Sequence, residues 1–172
     1  MNINVFRIDD RLIHGQIVTR WIADAQADTI LIADDMAAGD ATQQMLLKLV
    51  APANINLLIK TINEAAQLLA SSELDDKKVL LMLRNPATAL ALCNLGFHID
   101  TINVGNISNA RSETGRKKLL SFIFVEAQDV ECLKALAAKG IHLDIRAVPN
   151  DKSIDAMELL KKEYDRELKV LG

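Results

Sequence analysis

Strand-like runs alternating with longer amphipathic segments predict a doubly wound α/β fold: one mainly parallel sheet of about seven strands with helices on both faces. Two further observations support it. A chain of 172 residues that is 50% hydrophobic can bury a core large enough to stand without staples. Glycine, proline, Asp and Asn also sit where helices of such a fold should begin and end. No repeat, low-complexity tract or linker divides the sequence, so residues 1–172 are expected to form a single domain.

The first strand is read at residues 3–8, followed by a helix whose apolar stripe is Ile17, Val18, Trp21 and Ile22. A strand at 29–33 leads to a helix that Asp40 can cap and that carries Met45, Leu46, Leu49 and Val50 at helical spacing. The strand at 55–59 precedes a helix with Ile62, Ala65, Ala66 and Leu69 inward. After the strand at 79–83, Asn85-Pro86 opens a helix that Gly96 closes. The strand at 101–104 is followed by a polar stretch, 105–118, with no helical period and with Arg111, Arg116, Lys117 and Lys118. It reads as a surface loop before a sixth strand at 122–125. A helix ending at Gly140, a strand at 143–148 and a terminal helix over 153–170, charged on one face, complete the chain.

Composition removes several classes of function. Aromatic residues are only 3% of the chain, too few for the stacking platforms of single-strand nucleic-acid binders, and a net charge of -3 disfavours counterion-release binding to DNA or RNA. Cys93 and Cys132 are far apart, with no Cys-x-x-Cys spacing, so both read as small apolar residues in a reducing cytoplasm. No apolar run approaches the roughly 20 residues that span a bilayer. Charges in the first ten residues break any export signal, so a soluble cytoplasmic protein is expected.

In open α/β sheets, ligands sit beyond the carboxyl ends of the strands. The first such loop reads Asp9-Asp10-Arg11-Leu12-Ile13-His14-Gly15-Gln16, with two carboxylates, a guanidinium and an imidazole between a strand and a helix. The seven glycines form neither Gly-x-Gly-x-x-Gly nor Gly-x-x-x-x-Gly-Lys, so the usual nucleotide loops are unsupported. The amino end of a helix favours an anion, and a phosphate fits best. Arg11 would add charge-assisted hydrogen bonds worth about 1.5–3 kcal/mol each, more than the dipole's roughly 0.3–2 kcal/mol. Neutral imidazole supplies a nitrogen nucleophile near pH 7, so His14 suits a covalent phosphoryl carrier. Asp9 or Asp10 would hold the other ring nitrogen or restrain Arg11, and Gly15 would let phosphate reach the backbone. The plainer alternatives are an ordinary half-exposed histidine, an N-capping aspartate and a surface ion pair.

The string Arg7-Ile8-Asp9-Asp10-Arg11-Leu12-Ile13-His14-Gly15-Gln16, with Thr19-Arg20-Trp21, resembles the signature of the enzyme IIB component of the mannose/fructose/sorbose-type phosphoenolpyruvate-dependent sugar phosphotransferase system. The likeness continues at Val50-Ala51-Pro52, Arg84-Asn85-Pro86, Ile102-Asn103-Val104-Gly105, Gly140-Ile141 and Arg146-Ala147-Val148-Pro149. It implies a phosphotransferase working through a phosphohistidine. His14, attacking through Nδ1, would accept a phosphoryl group from a IIA protein or domain and pass it to a sugar held by the membrane IIC and IID components. The same resemblance implies that Arg11 and the amides of Ile13 to Gly15 hold the phosphate, with Asp9, Asp10, Gln16 and Asp34 supporting. No cofactor, metal or nucleotide is implied, and the protein would attach to the inner face of the membrane through its permease.

Two departures stand out. Gln43 and Gln44 occupy the start of the second helix, where relatives often carry a basic residue, and Gly105-Asn106 replaces a frequent Gly-Gly. The basic stretch Arg111, Arg116, Lys117 and Lys118 reads as a solvated loop ahead of a IIA-docking surface. His98 and His142, at strand entries, read as structural. Self-association is left open, because no exposed apolar stripe stands out in the sequence. The identity of the sugar is not legible in a component that touches it only through phosphate.

Overall fold

A computed structural model describes residues 2–107 and 115–171; the side chains of residues 2, 16, 17, 167, 168, 170 and 171 fall outside the description. Arg111, of the basic stretch, lies outside the described residues. The chain runs β1 (Asn2–Asp9), α1 (Gly15–Ala25), β2 (Thr29–Ala33), α2 (Asp35–Ala38), α3 (Ala41–Val50), β3 (Asn56–Lys60), α4 (Ile62–Ala70), β4 (Lys78–Leu83) and α5 (Pro86–Asn94). It continues through β5 (Thr101–Asn106), β6 (Lys117–Leu120), β7 (Ile123–Val125), α6 (Ala127–Ala138), β8 (His142–Ile145), β9 (Ile154–Asp155) and α7 (Ala156–Leu171).

Seven strands form the main sheet in the order β3-β2-β4-β1-β5-β8-β9, all parallel except β9, which runs against β8. Ile8, near the end of β1, pairs with Leu83 on one side and Val104 on the other, so β1 is central. The connections from β1 to β2 and from β2 to β3 move one way along the sheet; those through α4, α5 and α6 move back. Because parallel crossovers are right-handed, the two sets lie on opposite faces. On one face Val18, Trp21 and Leu47 pack over Ile30, Ile32, Leu80 and Met82. On the other, Ala65, Leu92, Leu133 and Leu160 cover Phe6, Ile8, Leu31, Leu81 and Val104. Every residue of β2 is buried, as expected for a strand covered on both faces, and each large aliphatic side chain so buried contributes about 1.5–3 kcal/mol.

Local chemistry sets the helix ends. Asn85 Oδ1 accepts the Thr88 amide at 2.9 Å while Thr88 Oγ1 accepts the Asn85 amide at 3.3 Å, a reciprocal cap reinforced by Pro86 in the first turn. Asp40 caps α3 through the amides of Thr42 and Gln43. Gly96 and Gly140 end α5 and α6 with φ of 102° and 85°, which favours glycine.

Three expectations change. The segment 122–125 is not a strand of the main sheet: β7 pairs with β6 in a separate antiparallel hairpin, joined to the chain after β5 by an isolated bridge from Ile107 to Ile123. The seventh place is taken by β9, because β8 stops at Ile145 and Asp151 folds the chain back by accepting the amides of Ala147 and Val148, both at 3.1 Å. The stretch 105–118 is not all loop, since its first residues complete β5 and its last begin β6.

The third change concerns α3. A short helix, α2, precedes it, and α3 buries Leu47 while Met45, Leu46, Leu49 and Val50 face outward. With α2 packed between α3 and the sheet edge, α3 meets the core only along the Gln44, Leu47 and Ala51 line. An exposed apolar stripe therefore exists that the sequence did not single out.

Candidate functional site

β1 ends beside two neighbours whose following helices lie on the face opposite α1. This opens a crevice at its carboxyl end, the usual ligand position in such sheets. The chain leaves β1 through a turn in which the Leu12 amide donates to the Asp9 carbonyl at 2.9 Å. Leu12 adopts a left-handed conformation with φ of 56° and, with Ile13, sinks its side chain into the core under α1. These two anchors hold the loop so that His14 becomes the residue preceding α1, in extended conformation, and Gly15 follows with φ of 39° and open space where a side chain would stand.

Asp9 is the centre of the arrangement. Its carboxylate is fully buried; Oδ2 meets His14 Nε2 at 2.9 Å and accepts from Arg7 Nη2 at 3.1 Å, and Oδ1 accepts the Arg11 amide at 3.0 Å. Burial alone would raise the Asp9 carboxyl, but the His14 hydrogen bond, the charges of Arg7 and His14 and the Arg11 amide together hold it below its ordinary value. An ionised carboxylate is acceptor-only, so Nε2 must be the donor and Nδ1 is the nitrogen left with a lone pair in the neutral ring. Asp9 thus serves both roles foreseen for the pair of aspartates. Asp10 does not reach the ring: its carbonyl accepts from Arg84 Nη1 at 3.3 Å, and its Oδ1 is buried without a partner.

His14 is 21% exposed at its side chain, and the start of α1 has no side-chain cap and no acidic residue in its first turn. The first amides of α1 are free of intrahelical acceptors and present the positive end of the helix beside the imidazole. Arg11 stands at the rim, 46% exposed, with Nε 3.5 Å from Asp9 Oδ1, so its outer guanidinium nitrogens face solvent. The Gln16 side chain lies outside the described residues.

Asp34 is buried away from the ring. It caps α2 through the Ala37 amide at 2.9 Å and takes a two-pronged ion pair from Arg84, at 3.2 and 2.9 Å. Through Arg84 it braces the Asp10 carbonyl. Gln44 spends its amide on the Ala37 and Ala38 carbonyls at 3.0 and 2.9 Å, closing α2.

Behind Asp9 lies a polar row that the sequence reading left without a role. Arg7, fully buried, donates to Asn103 and, at 3.1 Å, to the Arg146 carbonyl, and stacks 5.0 Å from the Trp21 ring. Asn103 pairs with Arg7 in register and bonds the Asp144 and Arg146 carbonyls, both at 3.2 Å; Arg146 grips Asp144 at 2.7 Å. Trp21 Nε1 donates to the Ala147 carbonyl at 2.9 Å, tying α1 to the loop after β8. Gly105 lies against the guanidinium so closely that a Cβ there would stand 2.0 Å from Arg7 Cζ. Burial lowers the Arg7 pKa and Asp9 opposes the shift. The signal in the sequence was parity: Arg7 and Asp9 alternate with Phe6 and Ile8 in a central strand, and a charged pair on one inward face needs partners there.

The remaining candidates are remote from this network. His142 is 3.3 Å from Asp155, and His98, 70% exposed, is 3.6 Å from Asp100. Arg116 lies over Phe124, and Lys117 over Tyr164 and near Glu163. Among the described residues no group of three or more His, Cys, Asp or Glu side chains is arranged to hold a metal, and no helix is long and apolar enough to cross a membrane.

The chain is similar to known proteins over nearly its whole length. The family model described as the sorbose subfamily IIB component of the phosphotransferase system matches residues 3–169. A fructose-specific EIIB component of Bacillus subtilis is 35% identical over 161 residues, covering 94% of this chain and 97% of its own. The mannose-specific EIIAB component of Escherichia coli K12 is 31% identical over 94% of this chain, which spans 49% of that longer protein. The crystal structure of the IIB domain of the Klebsiella pneumoniae sorbose permease superposes with a TM-score of 0.88 at 30% identity, covering 94% of this chain and 98% of that one.

Proposed function

The chain belongs to the sorbose subfamily of IIB components of the sugar phosphotransferase system, and from that premise we propose that His14 is the residue that carries the phosphoryl group. The observation that carries the proposal is the 2.9 Å bond from His14 Nε2 to the buried Asp9 carboxylate, which leaves Nδ1 as the nucleophile beside an uncapped helix start.

Nδ1 attacks the phosphorus of a phosphohistidine on the IIA partner; the new N–P bond forms as the donor's N–P bond breaks. Attack through one nitrogen while the other keeps its proton puts positive charge on the ring. Asp9 meets that charge without reorganising, held ionised by Arg7 on its far side. The phosphoryl oxygens face the Ile13 to Gly15 amides and the free end of Arg11. The same Asp9 keeps the proton on Nε2 during discharge, so that a neutral imidazole leaves. The N–P bond to His14 breaks as a sugar hydroxyl held by the IIC and IID permease forms the O–P bond, and the hydroxyl proton passes to a base of the permease or to solvent. Asp10, Arg84 and Asp34 position the loop, and residues 1–172 act as one unit at the inner face of the membrane. The EIIAB name of the Escherichia coli relative supports a IIA partner.

The test is phosphoryl transfer to the full chain from phosphoenolpyruvate through the two general phosphotransferase proteins and a cognate IIA. One acid-labile, base-stable phosphate is expected on the wild type and none on His14→Ala. Normal labelling of that variant would overturn the assignment.

A further inference from the structure

The helix face that its spacing would bury is the one the fold leaves bare. Met45, Leu46, Leu49 and Val50 stand together along α3, each 45–75% exposed, and Met36 of α2 is 70% exposed. Lys48 is the only charged residue in α3. Large apolar side chains exposed together on one helix are unusual for a monomer, whose exposed apolar residues are mostly scattered singly. Beside it, at the edge of the sheet, runs β3, whose Leu57 and Ile59 are half-buried against the same cluster that holds Leu47. The outer N–H and C=O groups of an edge strand have no ladder partner.

We propose that a second copy of this chain covers this face, with the two β3 strands pairing antiparallel about a twofold axis through Leu58. The sequence of β3, Asn-Leu-Leu-Ile-Lys, is self-complementary in that register. Leu58 meets the partner's Leu58, Leu57 meets the partner's Ile59, and Lys60 meets the partner's Asn56, so no like charges oppose. A twofold axis perpendicular to the sheet keeps each strand's faces. The α2 and α3 helices of both copies therefore arrive on the same face beside the paired strands, so that one operation serves both the strand edge and the apolar helix surface. The interface is isologous and closes at two copies. A stable contact buries about 800 Å² per partner, an area that the β3 edge and the exposed helix face would share. A lipid surface is disfavoured as the occupant because interfacial helices flank their apolar face with several basic residues, and α3 has one. This inference goes beyond the phosphoryl chemistry and does not rest on it.

Sedimentation equilibrium of the full chain at micromolar concentrations tests it, with a mass of twice 18.9 kDa expected. Leu49→Glu, at a position 75% exposed, should leave the circular dichroism spectrum unchanged, and the melting temperature unchanged at dilutions where both proteins are monomeric, and weaken association by about 100-fold or more, since both copies lose an apolar contact and bury a charge. Asn56→Lys sets lysine against lysine twice and should weaken association by about tenfold; adding Lys60→Asn removes the clash and should restore it. A wild type that stays monomeric overturns the proposal, as does a dimer indifferent to Leu49→Glu or to Asn56→Lys. Leu49-dependent co-sedimentation of a monomer with phosphatidylglycerol vesicles would assign the face to the membrane instead.

Discussion

Replacing Asp9 by Asn keeps the shape of the side chain and removes the charge that links Arg7, His14 and Arg11. One amide oxygen cannot serve the three partners met at 2.9, 3.1 and 3.0 Å, and the amide nitrogen faces donors. Breaking a buried ion pair by removing one partner costs about 3–5 kcal/mol. The low end applies, because Arg7 keeps Asn103, the Arg146 carbonyl and the Trp21 ring. About 3 kcal/mol in a chain of this size lowers the melting temperature by roughly 6–12 °C. Loss of a hydrogen bond to a charged group in the phosphorylated state adds about 1.5–3 kcal/mol to the barrier, or 10- to 100-fold slower transfer. Rapid-quench single turnover with labelled phospho-IIA reads the second effect, and urea unfolding the first. The pH dependence has a definite sign. Asp9 titrates lower in the fold than in the unfolded chain, so its contribution is present above the unfolded value of about 4 and is lost as pH falls through the folded one. The stability gap between wild type and Asp9→Asn should therefore be full at pH 7 and shrink below about pH 4. Transfer within twofold of wild type would refute the electrostatic role of Asp9; a gap that does not narrow in acid would refute its ionised state.

Arg11→Ala should fold normally, since the side chain is 46% exposed, yet transfer phosphate at least about tenfold more slowly; an unchanged single-turnover rate removes its role. Gly105→Ala should cost about 3 kcal/mol or more, because the added methyl meets the Arg7 guanidinium at 2.0 Å, and a urea midpoint near wild type would contradict that crowding. Asp34→Ala should lose about 2–3 kcal/mol from the α2 cap and the Arg84 pair while transfer falls by less than about tenfold, through the loop that Asp34 braces, measured by the same two assays. A large fall in its transfer rate would bring Asp34 into the chemistry.

The alternation of strand and helix, the caps at Asp40 and Asn85, the glycine stops and the loop from Asp9 to Gln16 were all legible along the chain. They depend on neighbours a few residues apart, and the physics of period, cap and turn acts at that range. His14 and Arg11 could be named as candidates for the same reason. Which aspartate holds the imidazole could not, because the answer is set by Leu12 and Ile13 burying their side chains and turning Asp9 inward. Arg7 found its partners 96 and 139 residues away, so only the packing of β1 against β5 and the loop after β8 shows why a fully buried guanidinium is tolerable. The face of α3 makes the same point from the other side. Spacing says that Met45, Leu46, Leu49 and Val50 share a side, while the position of α2 and the sheet edge decides whether that side meets a core. Periodicity determines what can be buried together, and tertiary structure decides what is there to bury it.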